Sequence, residues 1–122
     1  MHLICASFKL SICRLYREPN SVISSARKRW PEAPFYKDYR EMLEKEHKHM
    51  DVVMVSTPDH NHAVQTMAAM QLGLAAYCET PLTHDPYEAR MITEASRRFG
   101  VVTQMGNQGS SSRMPQRLRP GQ

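Results

Sequence analysis

Apolar positions along this chain fall into two regimes. Residues 1–25 show neither helical nor strand periodicity over any length, and Pro19-Asn20 reads as a turn. Within that stretch HLICAS is apolar enough for a short strand. From residue 26 onward the pattern becomes regular. Trp30 and Pro31 close a short helical segment, and Pro34-Phe35-Tyr36 follows as an extended connector. Asp38 with Glu41 three residues later forms a capping box, and Tyr39, Met42 and Leu43 give the helix behind it an apolar side.

The next run, DVVMVSTP at 51–58, is continuously apolar up to Ser-Thr-Pro and lacks alternation, which predicts a strand covered on both faces. A helix is expected at 61–72, with Ala63, Met67 and Met70 at helical spacing and Gly73 at the position just past its end. AAYCE at 75–79 is the following strand. Asp85, Pro86 and Glu88 then supply an N-cap, a first-turn proline and a first-turn acid. Ala89, Ile92, Ala95 and Phe99 form the expected buried stripe, Gly100 ends the helix, and VVTQM at 101–105 is a further strand.

Strands alternating with helices through short connections predict right-handed parallel crossovers in an open α/β sheet. The domain reading is a poorly patterned segment at 1–25, a partial nucleotide-binding domain at 26–109 and a disordered basic tail at 110–122, SSSRMPQRLRPGQ. With 122 residues, 41% apolar and 23% charged, the chain is an ordinary soluble domain, and one domain at most.

No run reaches the roughly 18 apolar residues that a membrane helix needs. The N-terminal MHLICASFKLSICRLY is interrupted by Lys9 and Arg14 and has no clear cleavage site, so neither membrane nor secretory routing is expected. Cys5, Cys13 and Cys78 form no CxxC pair and fit free thiols in the cytoplasm. The net charge of +4 does not predict a nucleic-acid partner. Arg27, Lys28 and Arg29 sit at one end and Arg113, Arg117 and Arg119 in the tail, not on one periodic face.

In open parallel sheets, ligands bind beyond the carboxyl ends of the strands. Three polar segments fall there: Thr57-Pro58-Asp59-His60-Asn61-His62, Glu79-Thr80-Pro81-Leu82-Thr83-His84, and Gly106-Asn107-Gln108-Gly109. Connectivity alone predicts that they share one wall of a cleft. His60, His62, Cys78 and His84 do not make a zinc site, because an HxH loop without a paired CxxC fixes no tetrahedron.

These same segments carry a resemblance. VVMVSTPDHNHAVQTMAAMQLGLAAYCETPLTHDPYEARMITEASRRFGVVTQMGNQGS resembles the central stretch of the Gfo/Idh/MocA oxidoreductases, and ARKRWPEAPFYKDYREML is similar to the connector leading into it. The resemblance spans residues 26–110 and is carried by TPxxxH followed by an E-x-P strand end. It implies a Rossmann-like half that binds NAD or NADP, and hydride transfer to or from a sugar or cyclitol carbon. It also implies that Ser56, Thr57, Pro58 and His62 form a cofactor-facing loop. Glu79 and Pro81 would then stand at the nicotinamide ribose, with Asn107 and Gln108 beside the nicotinamide.

Three departures qualify this. The family's E-K-P reads Glu79-Thr80-Pro81, and threonine cannot replace a titrating lysine. His84 is the one nearby substitute, four positions on. The glycines lie at 73, 100, 106, 109 and 121 with no GxGxxG, so the first βα unit with its pyrophosphate loop is missing.

The family's substrate half would begin about where this sequence stops. The expectation is therefore a frame-shifted or truncated oxidoreductase half with weak cofactor binding. The alternative is a non-catalytic remnant acting as a dimerisation or regulatory module. Loss of the first strand would bare a sheet edge and invite pairing with another copy.

Overall fold

The computed structural model describes the backbone of residues 2–5, 11–14 and 27–108, and the side chains of 27–108. The Pro19-Asn20 turn and the tail at 110–122 lie outside the described residues. Six strands form a single sheet: β1 (His2–Cys5), β2 (Ser11–Arg14), β3 (Phe35–Tyr36), β4 (Val52–Val55), β5 (Ala75–Cys78) and β6 (Thr103–Met105), in the order β3-β2-β1-β4-β5-β6. Among the described residues, and besides a helical stretch at 27–29, three α-helices accompany it: α1 (Tyr39–Glu46), α2 (His62–Gln71) and α3 (Pro86–Phe99).

β4, β5 and β6 run parallel, joined by α2 and α3, as the alternation of elements predicts. On the other side of β4 the sheet is mixed. β1 runs antiparallel to both β2 and β4, and β2 pairs in parallel with the short β3. The edge expected to stand bare beside β4 is thus filled by a hairpin, and Phe35-Tyr36 is a strand where a plain connector was expected. Neither feature carries a periodic signal, because four-residue and two-residue strands are too short to show one.

Helix ends follow local chemistry closely. Asp38 caps α1 by accepting from Arg40 N at 2.8 Å. Glu41 bonds Lys45 at 2.8 Å one turn on, and the expected reciprocal capping box is replaced by this i,i+4 pair. α2 ends in a Schellman motif: Gly73 N donates to Met70 O at 3.0 Å and Leu74 N to Ala69 O at 3.1 Å. That motif requires the φ of +76° at Gly73, which a side chain disfavours.

Asp85 caps α3 by accepting from Glu88 N at 2.9 Å, while Glu88 accepts from His84 N at 2.8 Å. Asp85→Ala is expected to cost about 0.5–2 kcal/mol in urea denaturation, as loss of a helix cap does. Asp85→Ser should restore most of it.

The strands β4 and β5 alternate between fully and half-buried positions, so β4 has cover on both faces, more complete on one. Val53, Val55, Ala76 and Cys78 point at the helices and are buried, whereas Val52, Met54, Ala75 and Tyr77 face the other side and are half-buried. Apolar residues on both faces hide this asymmetry in the sequence.

Tyr39, Met42, Leu43, Met50 and Leu74 complete the core against the buried strand face. A second cluster, Ala63, Met70, Ile92 and Ala95, joins α2 to α3, and Leu82 packs against both. Phe99, expected in the buried stripe of α3, is 37% exposed beyond the last turn of contacts. Tyr36 ties β3 to α1 by donating to Glu46 Oε1 at 2.6 Å. That bond, with burial, pushes the phenol up to about 12, so it remains a donor throughout the neutral range. No helix among the described residues is long and apolar enough to cross a membrane.

Candidate functional site

Register sets the site. Val55 lies level with Cys78, and Cys78 with Met105, so β4, β5 and β6 end on one line. Ser56-Thr57-Pro58, Glu79-Thr80-Pro81 and Gly106-Asn107-Gln108 therefore leave the sheet at a common edge. Backbone bonds extend the ladder past the strand ends: Glu79 N donates to Val55 O at 2.9 Å and Gly106 N to Cys78 O at 2.8 Å. The three loops meet as the connectivity requires.

Their side chains divide into two groups. Thr57 and His62 are fully buried and are occupied within the protein. The Thr57 hydroxyl donates to Gln65 Oε1 at 3.0 Å. The His62 ring lies between two backbone carbonyls, with Nε2 2.7 Å from Thr57 O and Nδ1 2.5 Å from Pro81 O. These two side chains hold the loops and do not project from them. Ser56 and Pro58 are half-buried.

Glu79, half-buried, and the exposed Asn107 and Gln108 form the accessible group. Gln108 Nε2 donates to Glu79 Oε2 at 2.7 Å, joining the second loop to the third. Thr80, Pro81 and His84 are exposed, and the Thr80–Pro81 peptide is cis.

Two contributors, Gln65 and Tyr77, escape sequence reasoning. Gln65 is 2% exposed on α2, where its polarity argues for the surface. Its spacing of three from His62 places both on the sheet-facing side. Tyr77 reads as a strand filler, yet its hydroxyl reaches the third loop: a Cβ placed on Gly106 would lie 2.8 Å from it. That same point lies 2.7 Å from Glu79 Oε2 and 3.0 Å from Gln108 Oε1. Gly106 is therefore the floor of a polar cluster made by Tyr77, Glu79 and Gln108. A glycine at a strand end, with a tyrosine and an acid on the neighbouring strand, is the signal that could have found it.

Burial pushes the Cys78 thiol up from its ordinary value, so it stays protonated beside the rim. Among the described residues no three His, Cys, Asp or Glu side chains converge on a metal position. A groove of about 350 Å³ between the helices is lined by Tyr39, Val64, Met67, Tyr87 and Met91 and includes no rim residue. The chemistry and this apolar groove are in different places, and the strand-end rim is the one with polar groups converging.

A dinucleotide tests this rim at both of its ends. At the nicotinamide ribose, the accessible Glu79 carboxylate with Asn107 and Gln108 fits a hydroxyl-rich ring. At the pyrophosphate, the fit fails among the described residues. The neighbour of β4 that would deliver a glycine turn at the rim is β1, and it runs the wrong way: its Cys5 pairs with Val53 and its Ile4 with Met54. Its carboxyl end thus points away from the edge where β4 stops.

An open α/β half-sheet with a polar rim at the parallel strand ends defines a nucleotide-binding type of domain. The chain belongs to the oxidoreductase family with an NAD-binding Rossmann fold, Gfo/Idh/MocA, whose model matches residues 13–107. It is 42% identical over 53 residues to the 1,5-anhydro-D-fructose reductase of Ensifer adhaerens, covering 43% of this chain and 16% of that protein.

Among solved structures it is similar to an NAD-binding oxidoreductase from Klebsiella pneumoniae, with a TM-score of 0.60 and 30% identity over 74% of this chain and 23% of that one. The fold is also that of myo-inositol 2-dehydrogenase from Lactobacillus plantarum, with a TM-score of 0.66 and 24% identity over 77% of this chain and 26% of that one. The chain spans about a quarter or less of the length of these proteins.

Proposed function

We propose that the rim of β4, β5 and β6 holds the nicotinamide-ribose end of NAD or NADP, weakly. On this reading the chain is part of an oxidoreductase that moves hydride between the nicotinamide and a hydroxyl-bearing carbon of a sugar or cyclitol. The single observation that carries it is the levelling of Val55, Cys78 and Met105, which sets Glu79, Asn107 and Gln108 along one edge. The names of the relatives, a reductase of an anhydro-sugar and a dehydrogenase of an inositol, support the substrate class.

When bound, the dinucleotide supplies the hydride donor or acceptor. The residues here supply position. Glu79, held by Gln108 at Oε2, accepts from ribose hydroxyls on the lone pairs that remain, and Asn107 and Gln108 offer amides to the ring's own amide. Ser56, Pro58 and Pro81 wall the edge. Thr80 neither carries charge nor titrates, so the reacting oxygen lacks a lysine, a loss worth about 10²–10⁴ in rate. His84 is exposed beside the α3 cap, its backbone N–H held by Glu88, and its free-standing position four residues on makes it a weak candidate for that proton. The free thiol of Cys78 is in keeping with a cytoplasmic setting.

Titration of NADH fluorescence against the full chain tests this. Saturable binding with a dissociation constant in the upper micromolar range is expected, and Glu79→Ala should weaken it. Absence of any binding at millimolar dinucleotide would overturn the reading and favour a non-catalytic interaction module.

A further inference from the structure

His62 has the burial of a core residue and the bonding of a hinge pin. Its ring is fully buried, and each nitrogen faces a backbone carbonyl, a group that only accepts. The two contacts are not equivalent. Nε2 meets Thr57 O, five residues back, and so closes the turn from which α2 itself starts. Nδ1 meets Pro81 O, 19 residues on, across the gap between the β4 and β5 loops.

The second loop needs such a tie. Among the described residues, this contact is the hydrogen bond that residues 80–83 make to another element. The rest of their hold is the half-buried Leu82, which packs against both core clusters. Upstream, the ladder stops at Glu79 N; downstream, order resumes at His84 N on Glu88. Between them the chain carries Thr80 and Pro81 at the rim.

We infer that His62 is a positioning residue for the dinucleotide rim, with the single N–H of its neutral ring on Nδ1, the nitrogen nearer to a carbonyl, donating to Pro81 O, and never touching the ligand. The inference rests on the proposed function for its consequence, though not for its geometry. A fully buried imidazole cannot reach a ligand outside, so its effect on binding passes through the loop it pins. Fixing that loop before binding spares the ligand the cost of ordering it.

The two ring nitrogens can be separated by substitution. Asparagine carries its amide near the place of Nδ1, glutamine near that of Nε2, and alanine carries neither. Hydrogen exchange of the free full-length chain reads the loop directly. In His62→Ala and His62→Gln, peptides covering residues 79–84 should exchange faster than in the parent, while His62→Asn should retain the parent's protection there. All three lose ring packing, so a merely structural role would lower the melting temperature and speed exchange in all three alike. Equal loss of protection in the asparagine and glutamine variants, or no loss in the alanine variant, would overturn the inference.

NADH titration is the second readout. A dissociation constant raised roughly three- to tenfold in His62→Ala and His62→Gln, with His62→Asn near the parent, is the size one neutral hydrogen bond supports. If the parent itself binds no NADH, the functional reading fails, and the exchange pattern still decides whether His62 pins the loop.

Discussion

Met70→Ala lowers the unfolding free energy by about 2–5 kcal/mol, read as a shift in the urea midpoint with the slope unchanged. Met70 has no exposed surface and sits where Ala63, Ile92 and Ala95 meet, the cluster that fastens α2 to α3. Its buried neighbours there are two alanines and one isoleucine, with the half-buried Met67, Leu82 and Val101 packed against them. Whatever space these side chains leave unfilled adds a cavity contribution to the transfer term. Domains of this size are stable by only about 5–15 kcal/mol, and a loss on this scale removes a large share of that. Met91→Ala is the companion measurement: Met91 is 38% exposed at the groove between α2 and α3, and its loss should be much smaller. Equal effects from the two would mean that the α2–α3 contact is not where the stability lies.

The pair also shows how far the amino-acid sequence reaches. Met67, Met70 and Met91 all read as core filler at helical spacing, and the structure sorts them into half-buried, fully buried and exposed. Periodicity fixes that a helix has an inner side, but its phase is uncertain by one residue when polar groups take inner positions. α2 does this with His62, Gln65 and Thr66. Each is a poor choice for a core by transfer free energy, and bonds that sequence cannot display engage two of them: Thr57 with Gln65, and the His62 ring with the Pro81 carbonyl. Strongly local chemistry was legible. Asp38, Asp85, Gly73 and Gly100 act at helix ends as read, because capping depends on neighbours within a few residues.

Non-local pairing was legible only where connectivity forced it. Parallel β4-β5-β6 follows from two short helical crossovers, and with it the meeting of the three loops. The antiparallel β1 has no such constraint, and nothing in HLICAS announces its direction. The rim itself was read as a row of equal ligand contacts, from Ser56 to Gln108. The structure grades that row. Thr57 and His62 point inward as supports, Glu79 and Gln108 are bonded to one another, and Tyr77, which sequence reasoning passed over, completes the cluster over Gly106.

Gly106→Ala is expected to weaken dinucleotide binding by about tenfold to a hundredfold, the range for a displaced hydrogen bond to a charged group. The reason is room, not backbone freedom. A Cβ at this position would sit 2.7 Å from Glu79 Oε2 and 2.8 Å from the Tyr77 hydroxyl, both closer than such contacts allow, and a tight 3.0 Å from Gln108 Oε1. The atoms that must give way are side-chain ends, so the sheet can survive with Gly106 N still on Cys78 O. What moves is the carboxylate and its 2.7 Å bond from Gln108. Melting temperature should change little while affinity falls, a split that separates this variant from Met70→Ala. Gln108→Ala provides the internal comparison. It removes the donor without pushing Glu79, and because it frees both carboxylate oxygens for ribose hydroxyls its affinity should fall less than that of Gly106→Ala. If the two variants bind NADH equally, or if Gly106→Ala binds as the parent does, then the position of Glu79 does not set the strength of this rim.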